Sequence, residues 1–291
     1  MNIRILQSYL MYDFRQGLVA RWKWYLSAIL IFAIQWVTAY KNVMLLEVYG
    51  YPSALGTYAD YVLFSLRGVA PIPVDGLNSR IDLPVQWICI FVGSLVCAIG
   101  YSDMESNNYA IQITVRSKNW EVLWISKCLW CALSAAVYFL IGYLTLAALC
   151  LLERCPLTLM ATPEFADLFF SSEQYIAFQA IPVIGIIKLG FLLPISFALL
   201  LNLMQITLNM FFNLAQSFVI CVAALVFSAC DMSKFLIGSY AMVMRSNYII
   251  RNGFDSSNGL IIYMFLILLF TIVGLKRIKS IDYLPDLKER S

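Results

Sequence analysis

The chain alternates long apolar runs, almost free of charge, with shorter polar stretches. A helix needs about 20 apolar residues to cross the hydrocarbon core of a bilayer, and several runs approach or exceed that length. The pattern therefore predicts an all-α membrane protein with six transmembrane helices in a single domain over residues 1–291. The predicted spans lie at about residues 25–40, 85–101, 129–152, 182–202, 207–229 and 259–275.

The segments between the spans also carry patterns. Residues 1–24 have apolar side chains at helical spacing, which predicts an interfacial amphipathic helix leading into the first span. Residues 58–68 predict a short amphipathic helix that ends at Gly68. Residues 153–180 are rich in acids and could form a second interfacial helix, and residues 231–258 are predicted to be a solvent-exposed loop.

The stretch between spans two and three combines aromatic, charged and apolar residues. From a helix start near Ser117, the side chains of Trp120, Leu123, Trp124 and Lys127 recur at i, i+3, i+4 and i+7, so they share one helical face. Such a helix would lie along the membrane surface. Two roles remain open from the residues alone: tryptophans resting at headgroup depth, or a docking surface for a partner protein.

The composition excludes a soluble domain, because 62% of the residues are hydrophobic, 13% are charged and the mean hydropathy is +0.79. A net charge of +3 is too small to indicate a nucleic-acid partner. Most of the 20 basic residues lie near the two termini and in the stretch between spans two and three. The positive-inside rule then places both termini and that stretch in the cytoplasm, with no signal peptide expected at the N-terminus.

Candidate chemistry is sparse. The chain has no histidine and no G-x-x-x-x-G-K-[ST] phosphate loop, so we expect no catalytic residues, no ATPase motif and no cofactor of its own. The eight cysteines lie in or beside apolar runs and are interpreted as packing residues. Cys128 and Cys131 form a CxxC, but no second pair and no histidine accompany them, so a zinc site is not expected.

Polar side chains inside the spans are the remaining candidates. Lys188 either extends its ammonium group toward the interface or contacts a substrate. A polar stripe with spacings of 3, 4, 4 and 3 suggests helix packing, a turn or a pathway lining, and it consists of Asn202, Gln205, Asn209, Asn213 and Gln216. A break between spans four and five is expected within residues 202–209 and would divide the stripe. Pro182 and Pro194, with two glycines between them, predict a kinked fourth span.

Three segments carry a resemblance to a known family. The external segment YADYVLFSLRG, the cytoplasmic segment RSKNWEVLWISK and the segment SYAMVMRSN before the last span occur in this order between the predicted spans. In this layout the chain resembles the ABC-2 type permeases of bacterial ABC transporters, in particular those paired with a separately encoded ATPase. The similarity covers nearly the whole chain and depends more on layout than on an invariant motif.

The resemblance implies a permease subunit in the bacterial cytoplasmic membrane that exports a lipid-like, peptide-like or antibiotic-like substrate. It implies two partners, an ABC ATP-binding subunit that carries the ATP and Mg²⁺ and a second permease chain in a homodimer or heterodimer. The helix near Ser117 would be a coupling helix seated on the ATPase, and Asp103 would match an acidic residue of the family. The implied coupling residues are Arg116, Lys118, Trp120, Glu121, Trp124 and Lys127.

Two other classes of function stay open at this point. A membrane scaffold or immunity protein could use the same cytoplasmic helix to bind a partner without transporting anything. An intramembrane enzyme is disfavoured, because the spans lack histidine and contain one isolated lysine.

Overall fold

A computed structural model describes residues 3–48, 56–70, 83–102, 120–170, 181–230 and 236–278. The described residues are mainly α-helical, and Ser246 and Phe254 form an isolated β-bridge. The prediction of an all-α protein is therefore confirmed. The helices are α1 (Ile3–Asp13), α2 (Trp22–Val48), α3 (Tyr58–Ser65), α4 (Val85–Ser102), α5 (Trp120–Leu152), α6 (Pro163–Phe170), α7 (Val183–Leu208), α8 (Leu214–Cys230) and α9 (Ser256–Ile278).

Four helices in the described part of the chain are long and apolar enough to cross a membrane. They are α2, over Trp22–Leu45, and the whole of α5, α7 and α9. Two shorter apolar helices accompany them, α4 over Val85–Ala98 and α8 over Leu214–Cys230. The chain is therefore a multi-pass membrane protein by the length and composition of its helices.

Aromatic packing between the long helices forms the core. On α2, Tyr25 hydrogen-bonds Ser134 of α5 at 3.0 Å, and Tyr40 near the other end of α2 donates to Glu153 at 2.9 Å. These two helices therefore run in the same direction. The ring of Phe197 on α7 contacts Phe91 of α4 at a centroid distance of 4.8 Å and stacks on Tyr263 of α9 at 5.4 Å.

The bundle has two ends, which differ in construction. The basal end consists of α1, residues 120–127 at the start of α5, the turn at residues 209–213, and residues 271–278 at the end of α9. The capped end consists of residues 56–70, 153–170 and 236–255, and the backbone of the first segment hydrogen-bonds the backbones of the other two. Two of these bonds run from the amides of Tyr58 and Ala59 to carbonyl groups of residues 156 and 158.

The short helix α3 begins with a capping box. Asp60 accepts hydrogen bonds from the Thr57 amide at 2.7 Å and the Thr162 amide at 3.0 Å, and the Thr57 hydroxyl accepts from the Asp60 amide. Burial raises the pKa of the Asp60 carboxyl group, and these hydrogen bonds partly oppose that rise. Gly68, with φ at +69°, follows the helix as predicted. The predicted amphipathic character was wrong, because every residue from Ala59 to Ser65 is buried.

Residues 236–255 were predicted to form an exposed loop, and that prediction was wrong. They form two 3₁₀ turns, Ile237–Ala241 and Val243–Arg245, and most of their side chains are buried. The amides of Val243 and Met244 donate to the carbonyls of residues 66 and 67, at 3.1 and 3.0 Å. The segment is thus a structured lid on the capped end, since buried backbone must find hydrogen-bond partners within the protein.

Two helix boundaries near the basal end differ from the predicted ones. The N-terminal helix does not continue to residue 24: α1 ends at Asp13, a π-helical turn spans Phe14–Val19, and α2 begins at Trp22. At α5, the predicted interfacial helix and the predicted third span are one helix from Trp120 onward. The apolar face near Trp124 packs inside the bundle and not along the membrane surface. The helix therefore does not have to bend between residues 120–127 and the membrane span that follows.

The fourth span is irregular, as the prolines and glycines predicted. A π-helical turn spans Lys188–Leu192 within α7, immediately before Leu193 and Pro194, and the backbone then continues as α-helix to Leu208. The break before α8 falls at residues 209–213, beyond the predicted 202–209.

Candidate functional site at the basal end

A buried ion pair joins the N-terminal helix to α5. Lys127 Nζ lies 2.9 Å from Asp13 Oδ1, and the hydroxyl of the adjacent Ser126 donates to Asp13 Oδ2. The two charged residues keep only 8% and 2% of their surface exposed. Because removing either charge would leave the other buried and uncompensated, the pair fixes the position of α1 against α5.

Trp124 joins α5 to the end of α9. Its side chain is fully buried, and its indole N–H donates to the carbonyl oxygen of Thr271 at 2.8 Å. The ring lies directly on Gly274, where an added Cβ would overlap it. A small apolar cluster surrounds this contact and includes Tyr9 of α1 and Ile278 of α9. The basal end is thus one packed body made of α1, the start of α5 and the end of α9.

The structure places the predicted coupling residues in different environments. Trp124 and Lys127 are buried among other helices, so the prediction that their helical face lies along the membrane surface or docks a partner was wrong for these two residues. Trp120 is half-buried and Glu121 is exposed on the first turn of α5. The two remaining coupling residues, Arg116 and Lys118, lie outside the described residues, and so does Asp103.

The turn at residues 209–213 divides the predicted polar stripe. Asn213 caps α8, because its Oδ1 accepts the amide of Gln216 at 3.0 Å. The hydroxyl of Ser217 donates to the side chain of Asn209 across the turn. The Gln216 side chain itself is exposed. These three stripe residues therefore build or flank a turn and do not share the helix that carries Asn202.

Asn202 and Gln205 lie on α7 and are fully buried. No hydrogen-bond partner within the structure reaches the side-chain nitrogen or oxygen of either residue. An unpaired amide in a low-dielectric interior costs about 1–3 kcal/mol for each missing partner, so bound water or a polar ligand would stabilise this pair strongly. Among the described residues of the polar stripe, only Asn202 and Gln205 remain candidates for lining a transport pathway or an internal hydrated site.

Lys188 lies far from this pair, near the capped end. Its ammonium group donates to the hydroxyl of Ser257 on α9 at 2.8 Å. Since 14 residues separate Lys188 from Asn202 along α7, the two are roughly 20 Å apart along the helix axis. The predicted pathway residues therefore form no single site.

Sequence reasoning missed Asp13 and Arg245. Asp13 is the one acid in the first 24 residues, and an isolated acid in an otherwise apolar and basic segment was a usable signal for a buried partner. Arg245 is fully buried, and its guanidinium donates to the carbonyl oxygens of Ser228 and Ala229 at 2.6 and 2.7 Å. No local pattern distinguished it from an exposed loop arginine.

Among the described residues, no group of three or more histidine, cysteine, aspartate or glutamate side chains could hold a metal ion. All eight cysteines are free thiols. No family model matches the chain, and no curated protein or solved structure is significantly similar to it.

Proposed function

We propose that this chain is the permease subunit of an ATP-driven exporter of the ABC-2 type, with six membrane spans. In this arrangement α4 and α8 supply the two shorter spans beside the four long ones. The basal end faces the cytoplasm, because the bases Arg15, Arg21, Lys23, Lys276 and Arg277 lie around it. The membrane is the bacterial cytoplasmic membrane, and both termini lie on its inner side.

The packing of the basal end is the main observation that supports the proposal. The ion pair between Asp13 and Lys127 and the burial of Trp124 join three helices at the point where the chain enters α5. A force applied to the chain before Trp120 would therefore act on α1, α5 and α9 together. This is the mechanical property that a permease without a nucleotide site needs, because its energy must arrive from another protein.

The roles of the coupling residues follow from their surroundings. Arg116 and Lys118, with half-buried Trp120 and exposed Glu121, are the proposed contacts to the ATPase. Trp124 and Lys127 act as positioning residues within the bundle. ATP and Mg²⁺ belong to the partner subunit, a second permease chain completes the transport path, and the substrate is lipid-like, peptide-like or antibiotic-like.

Site-specific photo-crosslinking in native membranes tests the proposal. A photoreactive amino acid at the exposed position 121 should crosslink to a protein with a phosphate-binding loop, whereas the same group at exposed Arg251 on the capped end should not. In the purified complex, Arg116→Ala and Trp120→Ala should abolish stimulated ATP hydrolysis, and Arg251→Ala should leave it unchanged.

Two results would reject the proposal. A partner at position 121 that lacks ATPase activity would favour a membrane scaffold or immunity protein instead. Equal crosslinking of an ATPase at both positions would show that the basal end is not the docking side.

A further inference from the structure

A second polar feature lies at the capped end, between α2, α3 and the start of α4. A cavity of about 200 Å³, open on one side, is lined there by Gln35, Ser65, Arg67, Gln86 and Trp87 among others. It holds several times the ~30 Å³ that a water molecule occupies in the liquid. Its lining residues are not part of the basal end, and none of the predicted site residues that the structure describes lines it.

Arg67 brings a positive charge to this cavity. Its Nε donates to the sulfur of Met244 at 3.3 Å, and among the described residues no carboxylate forms an ion pair with its guanidinium group. Burial lowers the pKa of Arg67, because its charged form is partly removed from water. None of the described residues that line the cavity is acidic. A guanidinium in this position would be stabilised by an anion, which it can bind with two parallel hydrogen bonds.

The start of α4 adds backbone donors. The amides of Val85 and Ile88 already donate to the carbonyls of residues 83 and 84. The amides of Gln86 and Trp87 have no acceptor among the described residues, and both residues line the cavity. Because the first turn of an α-helix carries free N–H groups and the positive end of its dipole, it favours a negative group.

Gln35 supplies an independent sign of a missing ligand. It is 99% buried on α2, lines the cavity and has a buried side-chain oxygen that finds no hydrogen-bond partner in the described part of the chain. A primary amide can turn either its oxygen or its NH₂ group toward a ligand. With the NH₂ group facing the cavity, Gln35 would donate to an oxyanion from the side opposite solvent.

We propose that this cavity is an anion-binding site for a phosphate or carboxylate group, held by Arg67, Gln35 and the first-turn amides of α4. The group can come from a lipid headgroup or from a small soluble anion. Exposed Leu83 and Val85 lie at the rim, so a lipid can reach the cavity with its acyl chains beside the bundle. The site does not depend on the proposed ATPase partner.

The purified full-length chain, without any partner, tests this site in two arms. In detergent, inorganic phosphate should bind measurably by calorimetry. In nanodiscs, native mass spectrometry should show phosphatidylglycerol retained in preference to phosphatidylcholine. Phosphate binding alone identifies a small anion as the ligand, and lipid retention alone identifies a headgroup.

Two variants distinguish anion binding in this cavity from anion binding to charges on the protein surface. Arg67→Gln should weaken the binding that the wild type shows by tenfold or more, whereas Arg251→Gln, at an exposed site on the same end, should change it less than twofold. If Arg67→Gln fails to fold, Arg67→Lys and Gln35→Leu should each weaken the same binding. Folding of the variants is checked by their thermal unfolding.

Three outcomes would overturn the proposal. The wild type could bind neither probe, or Arg67→Gln and Arg251→Gln could bind equally. The third is an intramolecular occupant: if Asp75→Asn or Asp82→Asn raised phosphate affinity, a carboxylate of this chain would be the natural occupant.

Discussion

At the capped end, irregular backbone from three segments of the chain is buried and hydrogen-bonded, whereas the basal end is built mainly from helices that meet through aromatic packing and the ion pair between Asp13 and Lys127. The capped end therefore depends on many polar contacts that support one another. The basal end depends on side-chain contacts between helices, such as the ion pair of Asp13 with Lys127 and the hydrogen bond from Trp124 to Thr271. We therefore expect the loss of one contact to loosen particular helices at the basal end and to destabilise the capped end as a unit.

The strongest test of the capped end is Arg245→Met. The arginine donates to Ser228, Ala229, Val69 and Ser239, and methionine leaves these acceptors, of which only Val69 is half-buried and the others are buried, without that donor. We expect a loss of more than about 4 kcal/mol or failure to fold. Thermal unfolding in detergent measures the loss, with exposed Arg251→Met as the control. An Arg245→Met protein as stable as the control would contradict the described network.

The corresponding test of the basal end is Lys127→Met. It leaves the Asp13 carboxylate buried without its ion-pair partner, which should cost about 3 kcal/mol. Unlike the arginine variant, it should increase hydrogen exchange mainly in α1 and the start of α5. The double variant Asp13→Leu with Lys127→Met should recover part of the loss, and exposed Arg15→Gln should have little effect. Exchange that rises equally at both ends would remove the difference between them.

Asp60→Asn probes a single polar contact of the capped end. Both carboxylate oxygens accept backbone amides, from Thr57 and Thr162, so an asparagine must turn its NH₂ group toward one of these donors. We expect a loss of about 2 kcal/mol at neutral pH, measured by thermal unfolding against Glu164→Gln, an exposed acid on α6.

The pH dependence of Asp60 has a definite sign. Because burial raises its pKa in the folded state, the folded protein binds the proton more tightly than the unfolded chain does. The resulting stabilisation is complete below the unfolded pKa of about 3.9 and is lost as pH rises through the raised folded value. The stability of the wild type relative to Asp60→Asn should therefore fall as pH rises across this window. A relative stability that increases with pH would show a lowered pKa instead.

The smallest expected effect is that of Gly274→Ala at the basal end. The new methyl group overlaps the ring of Trp124, and alanine recovers part of that cost through its better helix propensity. We expect a net loss of about 1 kcal/mol. Trp124→Phe in the same chain should relieve the overlap, so the double variant should lose less than the sum of the two single changes. Strict additivity would show that the two residues are not in contact.

Much of the fold could be predicted because the bilayer imposes a simple rule on the sequence. An apolar run with few charges must be helical in hydrocarbon, since each backbone polar group has to be paired within its own segment. The helices α2, α4, α5, α7, α8 and α9 were all anticipated on this basis, with errors at their ends. The end of α3 before Gly68 and the irregularity in α7 also followed from local signals, because glycine and proline act on the backbone directly.

The burial of polar and aromatic side chains could not be predicted from hydropathy in the same way. The periodicity around Trp124 is the same whether the apolar face meets lipid headgroups or another helix. Only the contact of Trp124 with α9 shows that the face meets another helix. The segment containing Arg245 reads as a loop by composition, although it is buried through hydrogen bonds to residues far away in the chain. The cavity beside Arg67 combines a side chain of α2 with the first turn of α4, which no local pattern connects.

By itself, the sequence determined that the chain forms apolar helices that belong in a membrane, because hydropathy acts locally on each segment. Only the tertiary structure decided which charges are paired, which tryptophans are buried and where hydrogen-bond donors gather around the cavity beside Arg67. Those outcomes depend on contacts between residues more than 100 positions apart, such as Asp13 with Lys127, and on the cost of burying a charge without a partner.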